Sequence, residues 1–211
     1  MKVAQFTFNA FQENTYVLYD NSSECIIIDP GCNNVEEQET LIKFIDEHGL
    51  KPAKLVNTHC HIDHVLGNKF IADKYNLALE AHEGEVQVLD TCETVSNMYN
   101  IPYESSPPIS VFIKEGTDYS FGESVLRTIF TPGHSPASLS FYCEADKILI
   151  AGDALFQGSI GRTDLPGGDY DTLIKNIKEK LLILPEDTIV YAGHGPSTTI
   201  GKEKTSNPFL V

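Results

Sequence analysis

Residues 57–64 read NTHCHIDH, so three of the chain's seven histidines and one aspartate fall within six positions. In an extended segment side chains alternate, which puts His59 and His61 on one side and Cys60 on the other, towards a core. Asp63 and His64 follow where the chain turns into the next helix and so approach from another direction. Two imidazoles with a carboxylate–imidazole pair beside them are suited to two metal ions rather than one. Three later residues complete such a set: His134 in FTPGHS, Asp153 in ILIAGDALF and His194 in VYAGHGP. Each follows an apolar run that reads as a strand, and strand ends are where layered folds place functional loops. Only His48 and His82 are left outside the set.

The elements that must position these residues are legible as short alternating or apolar runs. KVAQFTF, TYVLYD and ECIIID read as strands, with the turn NSS between the last two. A helix starts at Asn34, an N-cap with Glu37 three residues on; Leu41, Ile42 and Ile45 form its apolar face, and Gly49 ends it. AKLVN is a strand leading into the histidine cluster. A helix over about 66–76, a strand LALEAH and a helix within 83–99 follow. After the loop IPYESSPP come strands in SVFIK, SVLRTIF, SLSFYC and KILIAGD. DYDTLIKNIKEKLL is a helix with Leu173, Ile174, Ile177 and Leu181 on one stripe, TIVYAG is the last strand, and STTIGKEKTSN starts a final short helix. Each half is a strand series followed by helices, which suggests two sheets packed face to face with helices outside.

Composition narrows the function classes. At 211 residues, 41% hydrophobic and 21% charged, the chain suits a single globular domain. A formal charge of −15 repels polyphosphate and no basic stripe is present, so nucleic acid is not an expected partner. No run approaches the roughly 20 apolar residues of a membrane span, and the N-terminus has no secretion-type apolar core. Five widely spaced cysteines do not read as a disulfide framework. A cytoplasmic protein without membrane attachment, monomeric or a homodimer, is expected.

The motif THCHIDH, with the later His134, Asp153 and His194 motifs and the early strand ending in IDPG, resembles the metallo-β-lactamase superfamily essentially end to end. The resemblance implies a four-layer αββα sandwich, class α/β, with a two-metal site on one edge. It implies that His59, His61 and His134 hold one metal, that Asp63, His64 and His194 hold the second, and that Asp153 bridges them. Asp29 is then the residue that orients a ligand histidine from behind. Imidazole and carboxylate ligands suit two divalent ions, Zn2+ first, with Fe or Mn also compatible. Two ions ~3.5–4 Å apart can share a water, lower its pKa and polarise a carbonyl.

The loop FQGSIGRTDLPGGDYDTL and the ending GHGPSTTIGKEKTSNPFL are similar to the short glyoxalase II-like hydrolases of bacteria. This resemblance implies hydrolysis of a small-molecule thioester, with S-lactoylglutathione as the model substrate, by a metal-bound hydroxide that Asp63 helps orient. Full-length glyoxalase II has a C-terminal helical domain, and residues 1–211 do not include one. Arg162 is either an anchor for a substrate carboxylate or the partner of Asp164. A runner-up is a persulfide dioxygenase-like enzyme, with one iron on His59, His134 and Asp153. A metal-binding module without turnover is a third reading. Asp153 stands where many zinc β-lactamases carry cysteine, which turns the reading away from β-lactams.

Overall fold

Two six-stranded sheets, each with its own helices, carry the chain. The computed structural model describes residues 1–211 and groups them into two compact units: Met1–Phe112 with Ser120–Ser124, and Ile113–Tyr119 with Val125–Val211. No helix is long and apolar enough to cross a membrane.

In the first unit, β1 (Lys2–Phe8), β2 (Glu13–Tyr19) and β3 (Glu24–Ile28) form an antiparallel meander. The chain crosses through α1 (Val35–Glu47) to β4 (Lys51–Val56), parallel to β3. It continues through α2 (Ile62–Val65) and α3 (Asn68–Tyr75) to β5 (Leu79–Ala81), then through α4 (Val86–Tyr99) to β6 (Ile109–Phe112). The expected cap of α1 is present: the Asn34 side chain accepts from Glu37 N–H at 3.0 Å, and Gly49 leaves the helix at φ +60. Val17, Ile27 and Leu55 of the sheet share one core with Leu41, Ile45 and Ile71 of the helices. The alternate residues Tyr16, Leu18, Ile26, Ile28 and Val56 are buried as well. A strand covered on both faces needs apolar residues at every position, which explains the unbroken CIII run.

The second unit holds β7 (Asp118–Phe121, whose last two residues group with the first unit), β8 (Ser124–Phe130), β9 (Leu139–Cys143) and β10 (Ile148–Gly152). A small hairpin, β11 (Leu155–Phe156) and β12 (Ser159–Ile160), precedes α5 (Tyr170–Asn176); β13 (Ile189–Ala192), β14 (Thr198–Thr199) and α6 (Ile200–Ser206) complete it. The strand order is β14-β13-β10-β9-β8-β7. Two local features differ from the sequence expectation. Thr198 and Thr199 pair with Val190 and Ile189 as a strand before the last helix starts, because Thr199 serves as its cap. The α5 segment widens into a π turn over Ile177–Leu181, closed by Leu182 N–H to Ile177 O at 2.9 Å. Leu173, Ile177 and Leu181 recur every four residues, slightly more than one α turn, and the wider turn keeps all three buried.

Topology decides where the chemistry-bearing residues emerge. β3 and β4 are parallel with Ile28 opposite Val56, so Asp29 and residues 57–64 leave the first sheet at one edge. β8 and β10 are each antiparallel to β9, and β10 is parallel to β13. The chain exits of β8, β10 and β13 therefore share one edge of the second sheet, and these exits lead to His134, Asp153 and His194.

The Ser120–Ser124 segment of the first unit is fastened by Asp20, which accepts from Glu123 N–H at 2.7 Å and Ser124 Oγ at 2.8 Å. Partial burial pushes the Asp20 carboxyl up, but hydrogen bonds from Ser22, Ser124 and two backbone amides outweigh it and hold the group at about 2. A depressed carboxylate stabilises the fold above its ordinary pKa, and that contribution is lost as pH falls through the folded value. Asp20→Ala should lower stability by about 1–2 kcal/mol at neutral pH and speed exchange of the Ser22 and Glu123 amides. The gap between variant and wild type should close between pH 3.8 and about 2 in acid-unfolding curves.

Candidate metal centre

The first unit arranges its candidate ligands on one buried carboxylate. Asp29 adopts φ +50, a left-handed conformation unusual for a non-glycine residue before proline, and is only 1% exposed. Its carboxylate accepts from Thr58 N–H at 2.7 Å, Thr58 Oγ at 2.6 Å, Asn57 Nδ2 at 3.3 Å and His64 Nδ1 at 3.1 Å. Thr58 Oγ gives its hydrogen to Asp29, so its contact with His59 Nδ1 at 3.1 Å is one in which the imidazole donates. Both rings are thus held as Nδ1–H tautomers, with the Nε2 lone pair presented outward. The His59 ring centroid lies 4.9 Å from that of His61 and 4.1 Å from that of His64. Donor atoms of Asp29, His59 and His64 lie within 4.8 Å of one another. With its carboxylate already engaged by four donors, Asp29 is placed behind the histidines.

Cys60 lies on the opposite side, as alternation requires. It is fully buried in the core with Ile62, Val65 and Cys92, and burial pushes its thiol well up, away from the thiolate a metal would need. Its backbone N–H donates to Glu85 Oε2 at 2.8 Å. Asp63 and His64 are in the first turn of α2, with Asp63 Oδ2 3.7 Å from His64 Nε2.

In the second unit, His134 donates from Nδ1 to the Arg162 carbonyl at 2.8 Å, which again leaves Nε2 as a lone pair. That Nε2 lies 3.4 Å from Asp153 Oδ2, and His194 Nε2 lies 3.5 Å from the same oxygen. A lone pair facing a carboxylate oxygen is repulsive unless a cation or proton lies between them. Asp153 can present a single oxygen to two imidazoles because β12 runs directly into the small residue Gly161. A Cβ there would stand 1.9 Å from the Asp153 carbonyl oxygen. The donor set of imidazoles and carboxylates, without thiolate, fits divalent metal ions.

Of the two roles expected for Arg162, the structure shows the pairing with Asp164, Nε to Oδ1 and Nη2 to Oδ2, each at 2.7 Å. The guanidinium holds the Asp164 carboxyl at about 2. His48 and His82 make local contacts, with the Phe44 carbonyl and the Gly84 amide. Several supporting residues had no local signal in the sequence. Glu13 is fully buried, with Oε1 3.9 Å from His64 Nδ1, and burial pushes its carboxyl up. Asn57 donates to the His64 carbonyl at 2.9 Å and accepts from Asn68 Nδ2 at 2.7 Å. Asn9 donates to the Gly31 and Asp63 carbonyls, both at 3.0 Å.

Comparison with known proteins agrees with this geometry. The family model described as the metallo-beta-lactamase superfamily matches residues 8–194. Hydroxyacylglutathione hydrolase GloC of Haemophilus influenzae is 36% identical over 212 residues, covering 100% of this chain and 98% of that protein. Among solved structures, the BLEG-1 B3 metallo-beta-lactamase superposes with a TM-score of 0.91 at 37% identity, covering 99% of each chain. TTHA1623, solved in a di-iron-bound form, gives a TM-score of 0.89 at 33% identity, covering 99% of this chain and 100% of that one.

Two variants separate the roles of Asp29 and Cys60. Asp29→Asn keeps a single acceptor oxygen, so its amide nitrogen must face either Thr58 N–H and Asn57 Nδ2 or Thr58 Oγ and His64 Nδ1. It should weaken metal affinity by about 10- to 100-fold, read by chelator competition. Cys60→Ala should keep the wild-type metal content and lower the melting temperature, because it leaves a small void in the core. Loss of metal with an unchanged melting temperature would instead make Cys60 a ligand.

Proposed function

Because the chain belongs to the metallo-β-lactamase superfamily of metallo-hydrolases, we propose that it is a thioester hydrolase with a two-metal centre. In this reading the two units work as one domain. His59, His61 and His134 would hold one ion, Asp63, His64 and His194 would hold the other, and Asp153 would serve both. The observation that carries it is the position of Asp153 Oδ2, 3.4 Å and 3.5 Å from the Nε2 atoms of two histidines that leave different strands. One oxygen close to two imidazoles supports a carboxylate that would bridge two ions. The similarity to a hydroxyacylglutathione hydrolase over the whole chain supports the thioester as substrate class, and the di-iron form of a structural relative supports two ions without restricting them to zinc.

Bound there, two divalent ions would lower the pKa of a shared water and polarise the thioester carbonyl. The chain's own residues then perform the remaining tasks. Asp63 accepts a hydrogen bond from the attacking water and fixes its direction, which costs less entropy because the residue is on the rigid first turn of α2. Asp29, Thr58 and the Arg162 carbonyl hold three imidazoles in the Nδ1–H tautomer, so no ligand must reorganise during turnover. The departing thiolate needs no general acid, since it is a weak base at neutral pH. A substrate carboxylate can engage Arg162 by competing with Asp164, whose side chain is 68% exposed and therefore costs little to displace.

Asp153→Ala should lower thioester kcat/KM by more than about 100-fold, and metal analysis should show under half the wild-type content. The wild-type test is metal stoichiometry on protein purified without added metal, with a panel of a glutathione thioester, simpler thioesters, a β-lactam and a persulfide. Two metals with thioester cleavage is the expected result. One iron with persulfide-dependent oxygen uptake, or a β-lactam turned over faster than every thioester, would overturn the reading.

A further inference from the structure

Beyond His194, the ending GHGPSTTIGKEKTSNPFL has no part in the candidate metal centre, yet it buries a carboxylate. Glu203 of α6 is fully buried, and a buried charge is costly unless donors surround it. Its Oε1 accepts from Thr198 Oγ at 2.5 Å, and its Oε2 accepts from Gly158 N–H and Asn207 Nδ2, both at 2.8 Å. The Asn207 amide, also fully buried, donates in addition to the Ser159 carbonyl at 3.0 Å. Both side chains therefore grip the tip of the β11–β12 hairpin. That hairpin needs gripping: it has two pairs of residues, Leu155 with Ile160 and Phe156 with Ser159, around the exposed turn Gln157–Gly158. A two-stranded ribbon of this size is marginal alone, and Gly158 must hold φ +65.

The alternation of β11 shows what is being held. Leu155 enters the core beside Ile200 and Leu210, so Phe156 projects from the opposite face and is half-buried. Its ring stands edge-on to His194, at 84° with centroids 6.1 Å apart. A rigid, partly open aromatic face therefore lies beside a candidate ligand and three residues beyond Asp153. We propose that the β11–β12 hairpin is a specificity element, with Phe156 as the apolar wall for an alkyl or aryl group next to the scissile carbonyl, and with Glu203 and Asn207 as its positioning residues. This rests on the reading of Asp153 and His194 as metal ligands. The apolar group could belong to the acyl half or to the leaving thiol.

The experiment measures binding of two homologous series to the metal-loaded protein by calorimetry: straight-chain carboxylates from acetate to hexanoate, and alkanethiols of the same lengths. The quantity read is the gain in affinity per added carbon, which is insensitive to how the head group meets the metal. Wild type should gain roughly threefold per carbon in at least one series, and the series that gains identifies the half of the substrate. Phe156→Ala should flatten the gain to near onefold, and Phe156→Leu should restore most of it. Glu203→Gln and Asn207→Ala should reduce the gain and speed exchange of the Gly158 amide. A flat wild-type response in both series, or an unchanged gain in Phe156→Ala, overturns the proposal; so does Glu203→Gln with both gain and Gly158 exchange unchanged. If Glu203→Gln does not fold, Phe156→Ala and Asn207→Ala decide. Because the ligands are not thioesters, a protein that shows the gain but cleaves no thioester overturns the proposed reaction alone. Thioester cleavage without the gain overturns this inference alone.

Discussion

Imidazoles whose Nδ1 hydrogens are already committed are the constraint on which the centre depends. A neutral histidine has one donor and one lone pair, and the protein chooses which nitrogen carries which by the partner it supplies. Here the partners are the Asp29 carboxylate for His64, Thr58 Oγ for His59 and the Arg162 carbonyl for His134. Each choice directs an Nε2 lone pair away from the scaffold. At Asp153 that direction brings the His134 lone pair to 3.4 Å from a carboxylate oxygen, and His194 Nε2 lies 3.5 Å from the same oxygen. A cation or a proton lying between Asp153 and His134 relieves the repulsion.

The scaffold supports that arrangement by spending polar groups in its interior. Asp29, Asn57, Glu85 and Glu203 are all essentially inaccessible. Such burial is tolerated only where donors and acceptors are matched. Asp29 receives four hydrogen bonds, Asn57 links Asp29, the His64 carbonyl and Asn68, and Glu85 takes the amide between His59 and His61. The links tie residues 57–64 to the neighbouring strand ends, so the positions of His59 and His64 are inherited from the sheet. Around this frame the chain carries a formal charge of −15, which bound divalent cations offset in part.

The architecture is the mixed α/β sandwich expected from the motifs, as the family match and the solved relatives show. In the first sheet, parallel β3 and β4 exit side by side; in the second, β8, β10 and β13 exit together. Loops at those exits can diverge while the sheets stay constant, which is how one fold serves relatives named for glutathione thioesters and for β-lactams.

What the sequence determined by itself was whatever depends on near neighbours. The pairing of His59 with His61, the inward turn of Cys60, the Asn34 cap and the apolar stripe of α5 follow from periodicity and cap chemistry, and each is found in the structure. The glycine-flanked His134, Asp153 and His194 were legible because each ends an apolar run. Tertiary structure alone decided the rest. Glu13 sits at 3.9 Å from His64 Nδ1 although 51 positions separate them in sequence, and Glu85 reaches Cys60 from the far side of β5. The short strands β7, β11, β12 and β14 and the π turn after α5 likewise reflect packing. A carboxylate near a histidine, or two residues of strand, has no period to read; only the chain's return past the same point gives it a partner.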